Sequence, residues 1–141
     1  MSLDTVYTAV AHASGAGRDG QVRSEDDHLD LQLRAPLELG GSGGGVNPEQ
    51  LFAAGYASSF LQALHDAGNH LGIDASDSQV SAEVGMAPNG SGGFELAVEL
   101  DISTPAAEPG RRQELVDLAH AICPFSNAVR GDVEVRLTRV D

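Results

Sequence analysis

Residues 28–35, HLDLQLRA, alternate Leu29, Leu31 and Leu33 with Asp30, Gln32 and Arg34. Successive side chains of a strand point to opposite faces, so this spacing predicts a half-buried strand. The same period runs through TVYTAVAHA (5–13), and QVRSED, after the Gly-rich turn SGAGRDGQ (14–21), is a second strand candidate. Together the three would form an N-terminal meander. Further on, QVSAEVGM (79–86) and GFELAVELDIS (93–103) flank APNGSGG, a hairpin signal, and DVEVRLTRV (132–140) is a last alternating strand.

Two segments follow a helical period instead. LGGSGGGVNPEQ (39–50) reads as a flexible loop, too glycine-rich to pack, which delivers the chain to a helix start. Asn47 suits the cap, Pro48 the first helical position, and Glu49 and Gln50 the positive first turn. The helix is predicted to run to about Leu71. From Leu51 to Leu64 its polar side chains are Tyr56, Ser58, Ser59 and Gln62, with His65, Asp66, Asn69 and His70 beyond. Such a helix is expected to be buried on most sides. One small sheet covers one face, so a second subunit is the expected cover for the other. A second helix is predicted over EPGRRQELVDLAHAIC (108–123), with Leu115, Leu118, Ala119 and Ile122 inward and Pro124 ending it. The order βββ-α-ββ-α-β places the chain in the α+β class, as a single domain over residues 1–141.

Composition narrows the function. The 141 residues carry a formal net charge of −13, which repels nucleic acid backbones and anionic membrane faces. No apolar run approaches the ~18 residues of a membrane span, and no signal peptide is visible. Cys123 is the one cysteine, so an intramolecular disulfide is impossible and the cytoplasm is the expected compartment. Aromatic residues are 4% of the chain, so the core must be built from Leu, Val, Ala and Ile.

Candidate chemistry is sparse, and each residue has an ordinary structural reading. Ser58 and Ser59 sit in AAGYASSFLQAL (53–64), where a helical serine commonly bonds back to a carbonyl one turn earlier. No strained G-x-S-x-G elbow supports a serine hydrolase. At ~100° per residue, Phe52, Tyr56, Ser59 and Ala63 share a stripe, which is either core or the wall of a pocket for an organic substrate. Cys123, at the negative end of a helix, is a poor primary nucleophile; it is a structural cysteine or a secondary thiol. Arg18 in GAGRDG is a turn arginine or an anion holder. Glu49 is a first-turn carboxylate or its partner. The histidines show no metal-binding spacing, and the glycines at 40–45 lack the Lys-Ser/Thr of a phosphate loop.

These weak signals coincide in one arrangement. GRDGQVRS (17–24), NPEQLFAAGYASSF (47–60), GGFELAVEL (92–100) and CPFSNAVRG (123–131), in that order, resemble the organic hydroperoxide resistance branch of the Ohr/OsmC family along nearly the whole chain. The resemblance implies an OsmC-like fold, an intertwined homodimer with a long central helix and two sites at its interface. It also implies a thiol peroxidase of organic or lipid hydroperoxides, with no metal or bound cofactor, reduced by dihydrolipoyl groups on partner proteins. Carried over residue by residue, Ser59 stands where the family has its peroxidatic cysteine, and Cys123 matches the resolving cysteine. Arg18 matches the arginine beside the thiolate, Glu49 its orienting carboxylate, and Phe125 a position where relatives often have Tyr. Phe52, Tyr56 and Phe125 would line the substrate pocket.

The departure at position 59 matters because a serine hydroxyl is not ionised near neutral pH and cannot form a sulfenic acid. The chain is therefore expected to be an inactive variant, by Cys→Ser substitution or by natural loss. Retention of the other site elements favours substitution. The alternative is a non-enzymatic binder or sensor of fatty-acyl or peroxide ligands.

Overall fold

The computed structural model describes residues 3–141, which fall into two compact units divided between Leu51 and Phe52. In the first, strands β1 (Ala11–Ser14), β2 (Gln21–Ser24) and β3 (Asp30–Gln32) make an antiparallel meander in the order β1-β2-β3. Leu29 and Leu31 are half-buried and Leu33 is buried, while Asp30 and Gln32 are exposed, as the alternation requires. The strands are shorter than predicted. Residues 5–10 belong to no strand, although they alternate, because pairing with β2 extends back only to Ala11.

The glycine segment departs from its expectation. It packs closely: the amides of Gly41 and Gly43 donate to the carbonyls of Pro36 and Ala35, and the Arg34 amide donates to Val46 O. A Cβ on Gly41 would lie 2.2 Å from Ala35 O, and one on Gly45 would lie 2.6 Å from the Arg34 side chain. Glycine here permits close approach of two chain segments.

Helix α1 (Pro48–Leu71) begins where the sequence predicts. Asn47 Oδ1 accepts from the Gln50 amide at 2.9 Å, and Gln50 Oε1 accepts from the Asn47 amide at 3.0 Å. This reciprocal capping box satisfies two otherwise orphaned donors.

The second unit carries the main core. β4 (Gln79–Pro88) and β5 (Phe94–Ser103) form the hairpin read from its tip, and β6 (Glu134–Arg139) joins β5 in parallel. α2 (Arg112–Ile122) and α3 (Pro124–Val129) make the crossover that a parallel pair requires. Val98, Leu100 and Ile102 of β5 enter one core cluster with Tyr56, Phe60 and Leu64 of α1 and Leu115, Val116 and Ala119 of α2. Along α1, the positions Ala54, Ser58, Gln62 and Asp66 stay exposed in the chain. The expectation of burial on most sides is therefore not met within one chain. Pro124 does end α2, as expected, but it also opens α3, a helix that the sequence reading omitted.

Candidate active site

The first unit holds one half of the candidate constellation. Arg18 lies in a short 3₁₀ turn, Gly17–Asp19, closed by the Gly20 amide on Gly17 O at 2.9 Å. Asp19, read from sequence as an ordinary turn residue, ties this turn to the rest of the unit: its Oδ1 accepts from the Ala35 amide at 3.0 Å. Arg18 Nη1 lies 2.5 Å from Glu49 Oε1 and 2.9 Å from Oε2. Alignment makes Oε2 the hydrogen-bond acceptor, and buried Oε1 accepts none among the described residues. The pair spans 31 residues of sequence and is part-buried. It forms a charge-assisted contact, the kind that fixes a guanidinium in place.

The second unit holds the other half. Ser59 Oγ and Cys123 Sγ are 3.6 Å apart, across 64 residues of sequence, with Cys123 fully buried. Cys123 caps the end of α2 and the start of α3 in an extended conformation, φ −66° and ψ 123°. That break aims its side chain at α1 rather than along its own helix. Ser58 plays a different part from its neighbour. Its Oγ donates to Ala54 O at 2.8 Å and it is exposed, so the back-bonding expectation holds and burial does not.

Phe52, Tyr56 and Phe125 come together beside this pair. Their ring centroids are 5.8–6.3 Å apart, at angles of 44–72°. Gly55 permits the contact, since a Cβ there would stand 3.2 Å from two atoms of the Phe125 ring. An aromatic wall adjoining a thiol suits an organic rather than a fully hydrated substrate.

Residues that sequence reasoning missed lie behind the wall. Ser126 is fully buried, and its Oγ is 2.7 Å from Tyr56 Oη and 2.9 Å from His120 Nδ1. Arg130 donates to His120 O at 2.7 Å. Burial raises the Tyr56 phenol above its usual range, opposed by the bond to Ser126. Burial, then the Arg130 charge, holds His120 below its ordinary value of 6.5, opposed by Asp117. The available signal was spacing: His120 and Ser126 stand three residues before and three after Cys123. Among the described residues no cluster of His, Cys, Asp or Glu could hold a metal ion, and no helix is long and apolar enough to cross a membrane.

Comparison with known proteins identifies the family. The family described as OsmC-like protein matches residues 41–138. An organic hydroperoxide resistance protein of Xanthomonas axonopodis pv. citri is 48% identical over 94% of each chain. The crystal structure of an organic hydroperoxide resistance protein OsmC from Legionella pneumophila superposes with a TM-score of 0.92, at 42% identity over 96% of this chain and 98% of that one. A putative organic hydroperoxide resistance protein of Vibrio cholerae, solved with captopril in one of its active sites, gives a TM-score of 0.91 at 42% identity, over 99% and 95% of the two chains.

Proposed function

This chain belongs to the OsmC-like family, in its organic hydroperoxide resistance branch, and on that premise we propose that it is the scaffold of a thiol peroxidase for organic hydroperoxides whose nucleophile position is held by Ser59. The observation that carries the reading is the 3.6 Å approach of Ser59 Oγ to Cys123 Sγ. A thiolate at position 59 attacks one peroxide oxygen, breaking the O–O bond; the thiolate becomes a sulfenic acid and the peroxide leaves as an alcohol after taking up a proton. The Cys123 thiol then displaces hydroxide from that sulfur, with water as the product, and a disulfide closes. The sulfur atoms need approach only about 1.5 Å closer than the present pair to reach the ~2.05 Å of an S–S bond. A dithiol reductant of the dihydrolipoyl class reopens it. With Ser59 in place neither step can begin, and the chain as written is inactive.

Arg18, held by Glu49, is assigned to lower the pKa of the attacking thiol and to offset charge on the departing alkoxide. Residues ten apart on one α-helix are separated by about 15 Å of rise, and Glu49 and Ser59 are ten apart on α1. We place this assignment in a homodimer, in which one chain's Arg18–Glu49 pair faces its partner's position 59. Exposed apolar side chains support it: Val6, Tyr7, Val10, Leu37 and Leu39 are exposed in the single chain. Sedimentation is expected at about twice the 14.6 kDa chain mass; a clean monomer at micromolar concentration removes this part of the proposal. The compartment assigned is the cytoplasm, where dithiol reductants are maintained.

The test is turnover of cumene or tert-butyl hydroperoxide with a lipoyl-linked reducing system. The chain as written should match the blank, and Ser59→Cys should consume peroxide steadily. An inactive, folded Ser59→Cys protein would favour the non-enzymatic binder of fatty-acyl or peroxide ligands.

A further inference from the structure

The hydrogen-bond chain Tyr56–Ser126–His120 has one consistent proton arrangement. Tyr56 and Ser126 are both fully buried, and the Tyr56 hydroxyl has Ser126 Oγ as its one hydrogen-bond partner among the described residues. A buried phenol O–H must be satisfied, so Tyr56 donates to Ser126. The single Ser126 proton is then directed to His120 Nδ1. That nitrogen must accept, which places the proton of neutral His120 on Nε2. An imidazolium carries protons on both nitrogens and cannot accept. If His120 is protonated, Nδ1 turns donor, and one buried hydroxyl proton of the chain loses its acceptor.

The elements joined by this chain are those that place Cys123. His120 is on α2, Ser126 is in α3, and Cys123 is the break between the two helices. Tyr56 is on α1, three residues before Ser59. α3 has only six residues and cannot hold itself as an isolated helix. Its ties to the rest of the unit include Ser126 and the Arg130 bond to His120 O.

We propose that neutral His120 is a positioning residue which, through Ser126 and Tyr56, latches α3 so that Cys123 Sγ is held buried and within reach of residue 59. The functional meaning of the latch rests on the peroxidase reading above, because a resolving thiol must be kept close to the nucleophile and yet be able to move. Ser126 bonds the His120 ring and links it to Tyr56 of α1, Arg130 at the end of α3 donates to the His120 carbonyl, and Asp117 on its own helix acts through its charge. Of these charges, Arg130 reinforces the neutral form and Asp117 opposes it.

Cys123 is the one thiol in the chain, so its labelling reports the latch directly. The native protein is reacted with 4,4′-dithiodipyridine from pH 8 to pH 5, and each rate is divided into that of the urea-unfolded chain at the same pH. This ratio removes the titration of the thiol itself. The parent should be strongly protected at pH 8 and lose protection roughly tenfold or more as His120 protonates. His120→Asn, which retains an acceptor but does not titrate, should stay protected at pH 8 and lose the pH dependence. His120→Ala should be labelled rapidly throughout; should it fail to fold, the Asn variant still decides. Protection in the parent that does not change with pH, or an Asn variant that follows the parent's profile, overturns the latch. The assay needs neither peroxide nor a thiol at position 59, so its failure is separate from failure of the proposed activity.

Discussion

Replacing Ser126 with alanine removes one oxygen from a site with no solvent exposure, and its cost can be worked from the bonds that oxygen makes. Two are lost, at 2.7 Å to Tyr56 and 2.9 Å to His120. His120 is half-buried and can reach solvent, whereas Tyr56 Oη is left buried with its proton unpaired. An orphaned buried hydroxyl costs about 1–3 kcal/mol, so Ser126→Ala is expected to lose ~2–3 kcal/mol. Tyr56→Phe removes the donor instead and leaves Ser126 bonded to His120, at a cost of ~1 kcal/mol. The double variant has no orphan and should lose only ~1–1.5 kcal/mol, a coupling of about 1.5–3 kcal/mol. Urea unfolding followed by far-UV circular dichroism suits a chain with no Trp and two Tyr. Protein concentration must be fixed across variants, since a dimer's stability depends on it. Additive losses within ~0.3 kcal/mol would show that Tyr56 and Ser126 do not share a proton in the folded protein, and the network reasoning would fail.

Two further outcomes follow from other contacts. Gly55→Leu should push Phe125 out of the aromatic wall and cost about 1–3 kcal/mol in urea unfolding; a neutral effect would mean that the wall is not closely packed. His120, held below 6.5, favours the unprotonated folded state. Its contribution is therefore full above about pH 6.5 and is lost as pH falls from there through the folded value. Thermal melts between pH 7.5 and 5 should show a component of the decline that His120→Asn abolishes, and an unchanged pH profile in that variant would refute the assignment.

How much of this could be read from the chain depended on whether the deciding forces were local. The start of α1 was legible because Asn47, Pro48, Glu49 and Gln50 act on one helical turn, and the β4–β5 hairpin because its tip carries its own turn chemistry. Residues 5–10 alternate as a strand does, but a strand also needs a ladder partner, and pairing along β2 stops at Ala11 opposite Ser24. The glycines of 40–45 were misread because flexibility and close approach use the same residue; only the neighbouring Ala35 and Arg34 reveal which applies. The Pro124 ambiguity is similar, since proline both ends one helix and begins the next.

Site residues divide in the same way. Ser59, Cys123, Arg18 and Glu49 are candidates on their own chemistry and take their roles from the family resemblance, and the structure brings them together as two pairs, Ser59 with Cys123 and Arg18 with Glu49. No spacing rule would have joined residues 31 or 64 positions apart. His120 and Ser126 were passed over because their meaning is shared with Tyr56, 70 positions from Ser126 in sequence.

The central claim is that position 59 and Cys123 form one redox pair, and the most direct measurement is mass spectrometry of Ser59→Cys after a single equivalent of cumene hydroperoxide. The intact chain should lose two hydrogens, and a proteolytic digest should contain the peptide spanning position 59 joined to the one spanning Cys123. The chain as written, under the same treatment, should remain unchanged. A Ser59→Cys protein, folded and dimeric, that instead gains oxygen at Cys123 alone, or that yields no cross-linked peptide, would contradict it.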